Sequence, residues 1–495
     1  MSLVVLVLGL FTFVAALRVL NAQKVASGII DTTQQALSVI ANGDLAEEEK
    51  EERVRGASLK LLTDFFRIAA IGIVALSVPA GLLLGGAALN LYALDHAVNI
   101  AVSWPFLIGS TVGAIALWLA LDRLRKADTQ PENAQKDVPY SPLDKALHDF
   151  AFASPTRQIR LGGLENRLYR RRINLDHAAR PIFITSLPRA GTTIMLEALA
   201  DVPELASATY QHMPFTLSPL MWGKFSSTFW KAREKTERAH GDGIDVDMNS
   251  PEAFEEMLWM AFWSDRYQSG QIAPWTPEDR NAEFETFFRT HMAKIVATKP
   301  AATRYVSKNN ANIARLGLIE KIFPDATTLI PIRNPRAQVK SLFRQHLRFA
   351  ELQDREPFAR RYMEGIGHFE FGEALRPISF DPARSYSVQP EQMTFWLHYW
   401  IEAYEHVLAN AGAQSVFVDH DALCRQPLQL LPELADAIGL EHQETLTEMA
   451  GMFHAPRPVP ELNDVPTTLL QRADELHAEL CRHTIGFAAA SKTEI

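Results

Sequence analysis

The sequence predicts an α/β protein in which a parallel sheet is flanked by helices, with a long helical insertion and N-terminal transmembrane helices. From about residue 181 onward, short apolar strands alternate with amphipathic helices, a pattern typical of right-handed βαβ units and a sheet covered on both faces. A stretch rich in Trp and Phe, 213–299, separates the first two strands and predicts the insertion. Long uncharged stretches within residues 1–127 predict the membrane region.

Three N-terminal stretches are candidate membrane spans: 2–17, 68–92 and 97–121. None contains Asp, Glu, Lys or Arg, and the second and third exceed the roughly 20 residues that cross a bilayer. The Lys and Arg residues that flank the spans predict that the N-terminus and the turn at Asp95 lie outside, with the large C-terminal part in the cytoplasm. The alternatives are a buried helical pair for the last two stretches and a secretory signal peptide for the first.

The predicted organisation is a membrane region at 1–127, a linker at 128–149 and a folded domain at 150–495. The linker is polar and its first part contains three prolines. Six arginines lie between Arg157 and Arg172 and are interpreted as a solvated face. The alternative interpretation is contact with anionic lipid headgroups.

Charge and cysteine content exclude several classes of protein. The net charge of −9 argues against a nucleic-acid partner, because such proteins are normally basic. The two cysteines, Cys424 and Cys481, form no CxxC pair. This excludes a disulfide scaffold and a cysteine-based zinc module, and fits a reducing compartment.

The first strand, Ile182–Ile184, leads through a tight loop into a helix that begins at Thr192 and Thr193. The N–H groups of a first helical turn have no intrahelical partner, and the helix dipole favours negative charge there, so this is an anion site. Arg189 adds a guanidinium suited to phosphate or sulfate oxygens, and Gly191 allows close backbone approach. The loop lacks GxxxxGK[ST], so it is not a Walker A sequence.

Further strands are followed by helical patterns along the rest of the chain. The predicted strands are 304–307, 327–332 and 415–418, and the helices that follow them are 310–322, 335–347 and 428–438.

A second candidate anion site lies at the end of the strand 327–332. Arg333 ends this strand, Asn334 is a good N-cap and Pro335 suits the first helical position. Ser341 lies seven residues beyond Asn334, two helical turns along the same face. Ligands of open parallel sheets bind at the carboxyl ends of the strands, so both sites are expected to face one crevice.

Together the two sites resemble the PAPS-dependent sulfotransferases, in particular the bacterial branch. In that family P-[KR]-[SA]-G-T-T binds the 5′-phosphosulfate end of 3′-phosphoadenosine 5′-phosphosulfate (PAPS), and R-[DN]-P-R with a serine eight residues after the first arginine binds the 3′-phosphate. The matching residues here are Pro188–Thr193, Arg333–Arg336 and Ser341. Phe323–Ala326, the turn at Lys308 and Asn309, and Asp419–Pro427 extend the resemblance, which covers about residues 150–455.

The resemblance implies a P-loop-like sheet, PAPS as co-substrate and no metal. It implies that the cofactor-binding residues are Arg189, Ala190, Gly191, Thr192, Thr193, Arg333 and Ser341. Two residues depart from the usual family pattern, because Ala190 replaces the commoner serine and His420 stands where tyrosine is usual.

Transfer to a hydroxyl acceptor needs a general base, commonly His or Glu. His212 lies where the second loop should border the crevice, and ordinary packing is the alternative. Glu255 and Glu256 lie in an apolar helix, where a carboxylate held against aromatic rings could act as a base. Lys308 ends a strand at the expected crevice and is predicted to give electrostatic help.

Two aromatic segments have alternative interpretations. The segment His368–Gly372 shapes the acceptor pocket or forms a packed turn. The aromatic face of the helix around Trp396–Trp400 is interpreted as core.

These observations predict a membrane-anchored sulfotransferase that moves a sulfuryl group from PAPS to a hydroxyl or amine acceptor, with the lipid bilayer as a partner. The predicted location suggests an acceptor such as a lipid or lipid-linked glycan. The alternatives are a catalytically silent membrane receptor or scaffold that binds a nucleotide, and a P-loop nucleotide kinase. The kinase lacks support because no Walker lysine and no Mg²⁺-holding acid are present.

Overall fold

The computed structural model divides into two compact units, Met1–Asp137 and Val138–Ile495. The residues it describes are 2–22, 25, 32, 47–89, 91–103, 106, 109, 110, 113, 114, 117, 148–229, 236–237, 245–381 and 388–486. The predicted linker, 128–149, lies outside the described residues except for its last two positions. The boundaries at 127 and 150 therefore stay a prediction.

The N-terminal unit contains helices α1 (Ser2–Val19), α2 (Glu47–Ala88) and α3 (Leu94–Ala101). Among the described residues one helical segment, Arg55–Ala88, is long and apolar enough to cross a membrane, with a mean hydropathy of 2.3. It meets this criterion by length and composition only. Its apolar part overlaps the predicted span 68–92.

The other two predicted spans receive less support. The span 2–17 falls within α1, whose apolar part Val4–Val19 is shorter than a membrane-crossing helix. The span 97–121 begins within α3, and most of it lies outside the described residues. Among the described residues, one of the three predicted spans therefore meets the criterion, and the span 97–121 stays a prediction.

The C-terminal unit is built on a five-stranded parallel sheet in the order β2-β5-β1-β6-β7. Its strands are β1 (Ile182–Ile184), β2 (Leu205–Ala206), β5 (Arg304–Lys308), β6 (Thr327–Ile332) and β7 (Ser415–Asp419). This sheet confirms the predicted α/β class. Only the edge strand β2 was missing from the prediction, because two residues are too short to show a period.

The central strand β1 aligns the ends of its neighbours at one edge of the sheet. Ile184 is in register with Lys308 of β5 on one side and with Leu329 of β6 on the other. Every residue of these three strands is buried, as expected for a parallel sheet with helices on both faces. The loops that leave β1 and β5 therefore start side by side.

Helices cover the sheet and extend beyond it. They are α4 (Pro155–Leu168), α5 (Thr192–Asp201), α6 (Pro219–Phe229), α7 (Glu256–Phe262), α8 (Ala282–Val296), α9 (Leu316–Ile322), α10 (Pro335–Arg355), α11 (Pro357–Ile366), α12 (Met393–Asn410), α13 (His420–Arg425), α14 (Pro427–Ala437), α15 (Gln443–Glu448) and α16 (Thr467–Cys481). Side chains alternate along a strand, so Phe183 enters one hydrophobic core, whereas Ile182 and Ile184 enter the other.

The predicted insertion contains α6, α7 and α8, together with a short antiparallel pair, β3 (Thr236–Glu237) and β4 (Asp245–Val246). After β5, the predicted helix 310–322 begins as a 3₁₀ segment, Asn310–Arg315, before α9. Side chains of this segment bind buried groups in the insertion. The segment therefore connects the insertion to the edge of the sheet.

Candidate active site

The loop between β1 and α5 has a backbone that turns through the left-handed region twice. Gly191, the residue before α5, has φ +92°, and Arg189 has φ +69°. Glycine adopts this conformation without steric penalty, whereas for arginine it costs about 1–2 kcal/mol. Contacts with the neighbouring elements must offset that strain.

Gln338 on α10 binds the backbone of the loop between β1 and α5. Its side-chain nitrogen donates to the carbonyl oxygens of Leu187 (3.1 Å) and Pro188 (3.0 Å). Its side-chain oxygen accepts from the indole N–H of Trp400 at 2.9 Å and from the Tyr404 hydroxyl at 3.3 Å. Gln338 is fully buried, so these four bonds use the amide completely and determine the position of the loop.

The structure brings together three of the predicted cofactor-binding residues. Arg189 Nε donates to the hydroxyl of Ser341 on α10 at 2.9 Å. Arg333, at the end of β6, donates from Nη1 to the carbonyl oxygen of Arg189 at 3.0 Å. The two motifs, 144 to 152 positions apart in the chain, therefore face one crevice.

The segment after β7 closes this crevice on the side of Gly191. Asp421 accepts from the backbone N–H of Asn334 at 3.0 Å, and one of its oxygens lies 3.9 Å from Arg333 Nε. The ring of His420 lies against Gly191, where an added Cβ would be 2.2 Å from Nδ1. Burial, assisted by the charge of Arg333, lowers the pKa of His420 to about 4, so the ring is neutral at pH 7.

The remaining loop residues differ in what they present to the crevice. Ala190 is fully buried, so its side chain packs inside. The hydroxyl of Thr192 is buried and donates to the side-chain oxygen of Asn310 at 3.3 Å. Thr193 is half-buried in the first turn of α5. Their predicted roles at the cofactor stay predictions.

Lys308 lies at the end of β5, beside the end of β1, and is buried. The turn that follows it is held from the insertion. Asn309 donates to Glu256 at 2.7 Å, and Asn312 donates to Glu255 at 2.8 Å. Burial raises the pKa of the Glu255 carboxyl, and hydrogen bonds, first among them that from Ser307, oppose this shift.

Glu256 occupies a structural ion pair. Its two oxygens accept from Arg315 Nη1 and Nη2, each at 2.9 Å, and Tyr267 donates to the same carboxylate. The Arg315 guanidinium lies between two rings, 4.2 Å from the centroid of Trp259 and 4.3 Å from that of Trp275. The geometry thus favours support of the turn after β5 over the predicted role of Glu256 as a base.

His212 also occupies a structural position. Its Nδ1 accepts from the backbone N–H of Thr209 at 3.0 Å, which caps the short turn Tyr210–His212. The side chain is 3% exposed, and burial lowers its pKa to about 4. A buried imidazole with one nitrogen occupied by a cap has only its other nitrogen left to accept a proton. The predicted catalytic role therefore stays a prediction that this geometry does not favour.

A pocket lies beside the loop between β1 and α5. Leu187 and Pro188 of the loop line it, and so does Asn310. Its other walls come from the segment around Phe369 and from Trp396 and Tyr399 on α12. Two aromatic residues interpreted from the sequence as core, Trp396 and Tyr399, thus also line this pocket.

Three residues of the site were not singled out from the sequence as binding or catalytic. Asn310 connects the loop helix to the pocket, because it binds both Thr192 and Glu370. Gln338 has no local signal, since an amide inside an amphipathic helix is ordinary. Glu370 lies in the segment assigned either to the pocket or to a packed turn, and its neighbour Phe369 lines the pocket with it.

One arginine on the loop after β1 and one at the end of β6 lie beside a helix N-terminus, an arrangement suited to binding anions. A comparison with known protein families matches residues 181–444 to the Sulfotransferase family. This match includes more than half of the chain and both arginine motifs. The chain belongs to the sulfotransferase family and is a sulfotransferase.

Solved structures similar to this chain include two mycobacterial sulfotransferases. STF1 from Mycobacterium tuberculosis H37Rv is 14% identical, with 64% of this chain and 81% of that chain covered and a TM-score of 0.39. STF9 from Mycobacterium avium is 12% identical, with 73% and 94% covered and a TM-score of 0.40. A sulfotransferase from Alicyclobacillus acidocaldarius is 15% identical, with 62% and 94% covered and a TM-score of 0.28. No curated protein matches the chain.

Proposed function

We propose that this sulfotransferase takes its sulfuryl group from PAPS and transfers it to a hydroxyl or amine acceptor at a membrane. The observation that carries the donor assignment is the convergence of Arg189, Arg333 and Ser341. These residues form two adjacent anion sites, which a nucleotide with phosphate groups at both ends of its ribose requires.

The described residues fit such a nucleotide. Nε of Arg333 is buried and has no hydrogen-bond partner among the described residues, so a donor is available for a phosphate oxygen. The N–H groups of the first turn of α5, which begins at Thr192, have no intrahelical partner and would supply further donors. Arg333 and Ser341 would bind the 3′-phosphate, and the loop Arg189–Thr193 would bind the 5′-phosphosulfate.

PAPS supplies an activated sulfuryl group whose leaving group is a phosphate. The chain contributes positioning and charge, as in phosphoryl transfer. Arg189 is the permanent cation on the loop and would stabilise negative charge that develops on the bridging oxygen. Lys308, at the neighbouring strand end, would add a second positive charge.

The membrane location is also a proposal. It is supported by the apolar helical segment Arg55–Ala88 and by the uncharged stretches around it. With Lys and Arg distributed as they are, the catalytic unit would lie in the cytoplasm. A reporter that works only in the cytoplasm should then be active when it is fused after Ile495. If only a reporter that works in the periplasm is active there, this topology is overturned.

The donor assignment is tested by transfer of ³⁵S from labelled PAPS to a membrane lipid extract. Arg189→Ala should lower the rate by about 10²–10³-fold, because it removes a preorganised charge from the transition state. Arg355→Ala is the matched control, since Arg355 is an exposed arginine at the far end of α10, and its rate should equal that of the wild type.

The outcomes separate the alternatives. An Arg189→Ala variant as active as the control would contradict the proposed role of the loop. Tight binding of adenosine 3′,5′-bisphosphate by the wild type without any transfer would favour the silent receptor. Binding of ATP in preference to this nucleotide would favour a kinase.

A further inference from the structure

The pocket beside the loop is lined mainly by apolar residues. Leu187, Ile272, Leu342, Phe369, Ile378 and Trp396 are among its lining residues, and all six are buried. Its ionisable side chains, among the described residues, are those of Glu256, Glu370, Arg376 and Tyr399. A cavity of this composition binds apolar groups and uses its few polar groups to orient them.

The polar groups of the pocket are not equivalent. Glu256 binds Arg315, Asn309 and Tyr267, so its oxygens are occupied. The Arg376 guanidinium lies 4.4 Å from the centroid of Phe369 and donates to the carbonyl oxygen of Tyr267. Both side chains are thus used in holding the walls.

Glu370 has a different environment. It is half-buried, and its Oε1 accepts from the neutral amide of Asn310 at 3.2 Å. Within the described parts of the chain, no salt bridge neutralises its charge. Asn310 in turn accepts from Thr192 on the loop helix at 3.3 Å. The carboxylate is therefore two hydrogen bonds from the loop and borders the apolar pocket.

We propose that Glu370 is the general base, and that the acceptor is a hydroxyl group carried on an apolar chain or ring that packs against the walls of this pocket. This inference rests on the proposed sulfuryl transfer from PAPS. The acceptor oxygen forms a bond to sulfur, while the bond between sulfur and the bridging phosphate oxygen breaks. The electron pair of that bond leaves with adenosine 3′,5′-bisphosphate, and the hydroxyl proton passes to the Glu370 carboxylate and then to water.

The apolar walls decide the class of acceptor. A sugar carries several hydroxyl groups, and each one buried without a hydrogen-bond partner is costly. The described lining offers such partners at few places, which are Glu370, Asn310, Tyr399 and the two side chains already used. A single hydroxyl at the end of an alkyl chain or on an aromatic ring leaves no polar group unpaired.

The base assignment is tested with Glu370→Gln in the full chain. We expect single-turnover transfer to fall by about 10²–10⁴-fold, the usual contribution of a general base, with the Kd for adenosine 3′,5′-bisphosphate and the melting temperature unchanged. Glu373→Gln is the matched control, because Glu373 is an exposed carboxylate paired with Arg360. Transfer by Glu370→Gln at more than a third of the control rate would overturn the assignment.

The acceptor class is tested by comparing 1-decanol, 4-propylphenol and methyl glucoside with ³⁵S-labelled PAPS. We expect kcat/KM for the better of the two apolar acceptors to exceed that for methyl glucoside at least tenfold, since mismatched polar groups cost this much or more. Leu375→Gln, a change in the pocket wall, should raise KM for the apolar acceptor. Leu347→Gln, at an exposed leucine, should not.

The results also separate this inference from the proposed function. If the chain binds adenosine 3′,5′-bisphosphate but prefers methyl glucoside or sulfates none of the three compounds, the inference is overturned and the donor assignment stands. If the chain does not bind the nucleotide, the proposed function fails and the inference fails with it.

Discussion

Two adjacent acids, Glu255 and Glu256, show how much one residue's role depends on its partners. Both are buried, yet each binds a different set of groups on the turn after β5. Glu256 neutralises Arg315, which has no contact with solvent and lies between two tryptophan rings. Breaking such a pair leaves a buried charge without compensation.

We therefore predict that Glu256→Gln destabilises the protein by about 3–5 kcal/mol, the usual cost of removing one partner of a buried ion pair. Urea denaturation measures the free energy of unfolding. The control is again Glu373→Gln, whose surface pair should be worth less than about 1 kcal/mol. Unchanged stability together with lost transfer would instead restore Glu256 as a candidate base.

At the scale of elements, the loop Ser186–Gly191 depends on three elements that follow it in the chain. Helices α10 and α12 hold its carbonyl and hydroxyl groups through Gln338 and Tyr404. The strand end at Arg333 holds the carbonyl of Arg189. A strained loop persists only when the contacts around it hold it in place. Here Gln338, Tyr404 and Arg333 supply such contacts.

Gly191→Ala tests this arrangement. The left-handed φ disfavours any Cβ, and the ring of His420 occupies the space that the Cβ would need. We expect at least a tenfold increase in the Kd for adenosine 3′,5′-bisphosphate, measured by calorimetry, because a distortion of roughly 1.4 kcal/mol already has that effect.

Gly163→Ala is the matched control for that variant. Gly163 lies within α4, and an added Cβ there meets no atom within 4 Å. Alanine should stabilise this helix by about 0.5–1 kcal/mol and leave nucleotide binding unchanged. If the two glycine variants bind adenosine 3′,5′-bisphosphate with equal affinity, nucleotide binding does not need a residue without a Cβ at position 191.

For the whole molecule, buried histidines predict a loss of stability in acid. Burial lowers the pKa of His212 and of His420 to about 4, and lowers the pKa of His291 well below its ordinary value. The unfolded chain binds protons near pH 6.5, where the folded chain does not. The contribution of these groups to the free energy of unfolding is therefore constant above pH 6.5 and falls as the pH is lowered from 6.5 to 4.

We expect His212 and His420 each to lower the free energy of unfolding by about 2 kcal/mol when the pH falls from 7 to 5. Urea denaturation at pH 7, 6 and 5 measures this slope. His212→Asn keeps an acceptor for Thr209 but does not titrate, so its slope should be smaller. His454→Asn, at an exposed position, should keep the full slope, and equal slopes in both variants would contradict the prediction.

Much of the fold followed from local patterns. The buried strands β1 and β6 are short, mainly apolar runs, and the helix after β6 has the cap Asn334. The edge strand β2 carried no such signal. The N-terminal region was predicted to cross the membrane three times, and only Arg55–Ala88 among the described residues meets the criterion of length and composition.

By itself, the sequence determined the family, the α/β class and the two arginine motifs, because loop chemistry and strand–helix alternation are encoded by neighbouring residues. Only the tertiary structure decided which of the two acids that line the pocket is held by a buried cation. Glu256 turns toward Arg315, whereas Glu370 reaches Asn310 beside the loop. Both are acids among aromatic residues in the sequence. Their surroundings come from segments far apart in the chain, and the packing of those segments determines whether a carboxylate meets a buried cation or a neutral amide.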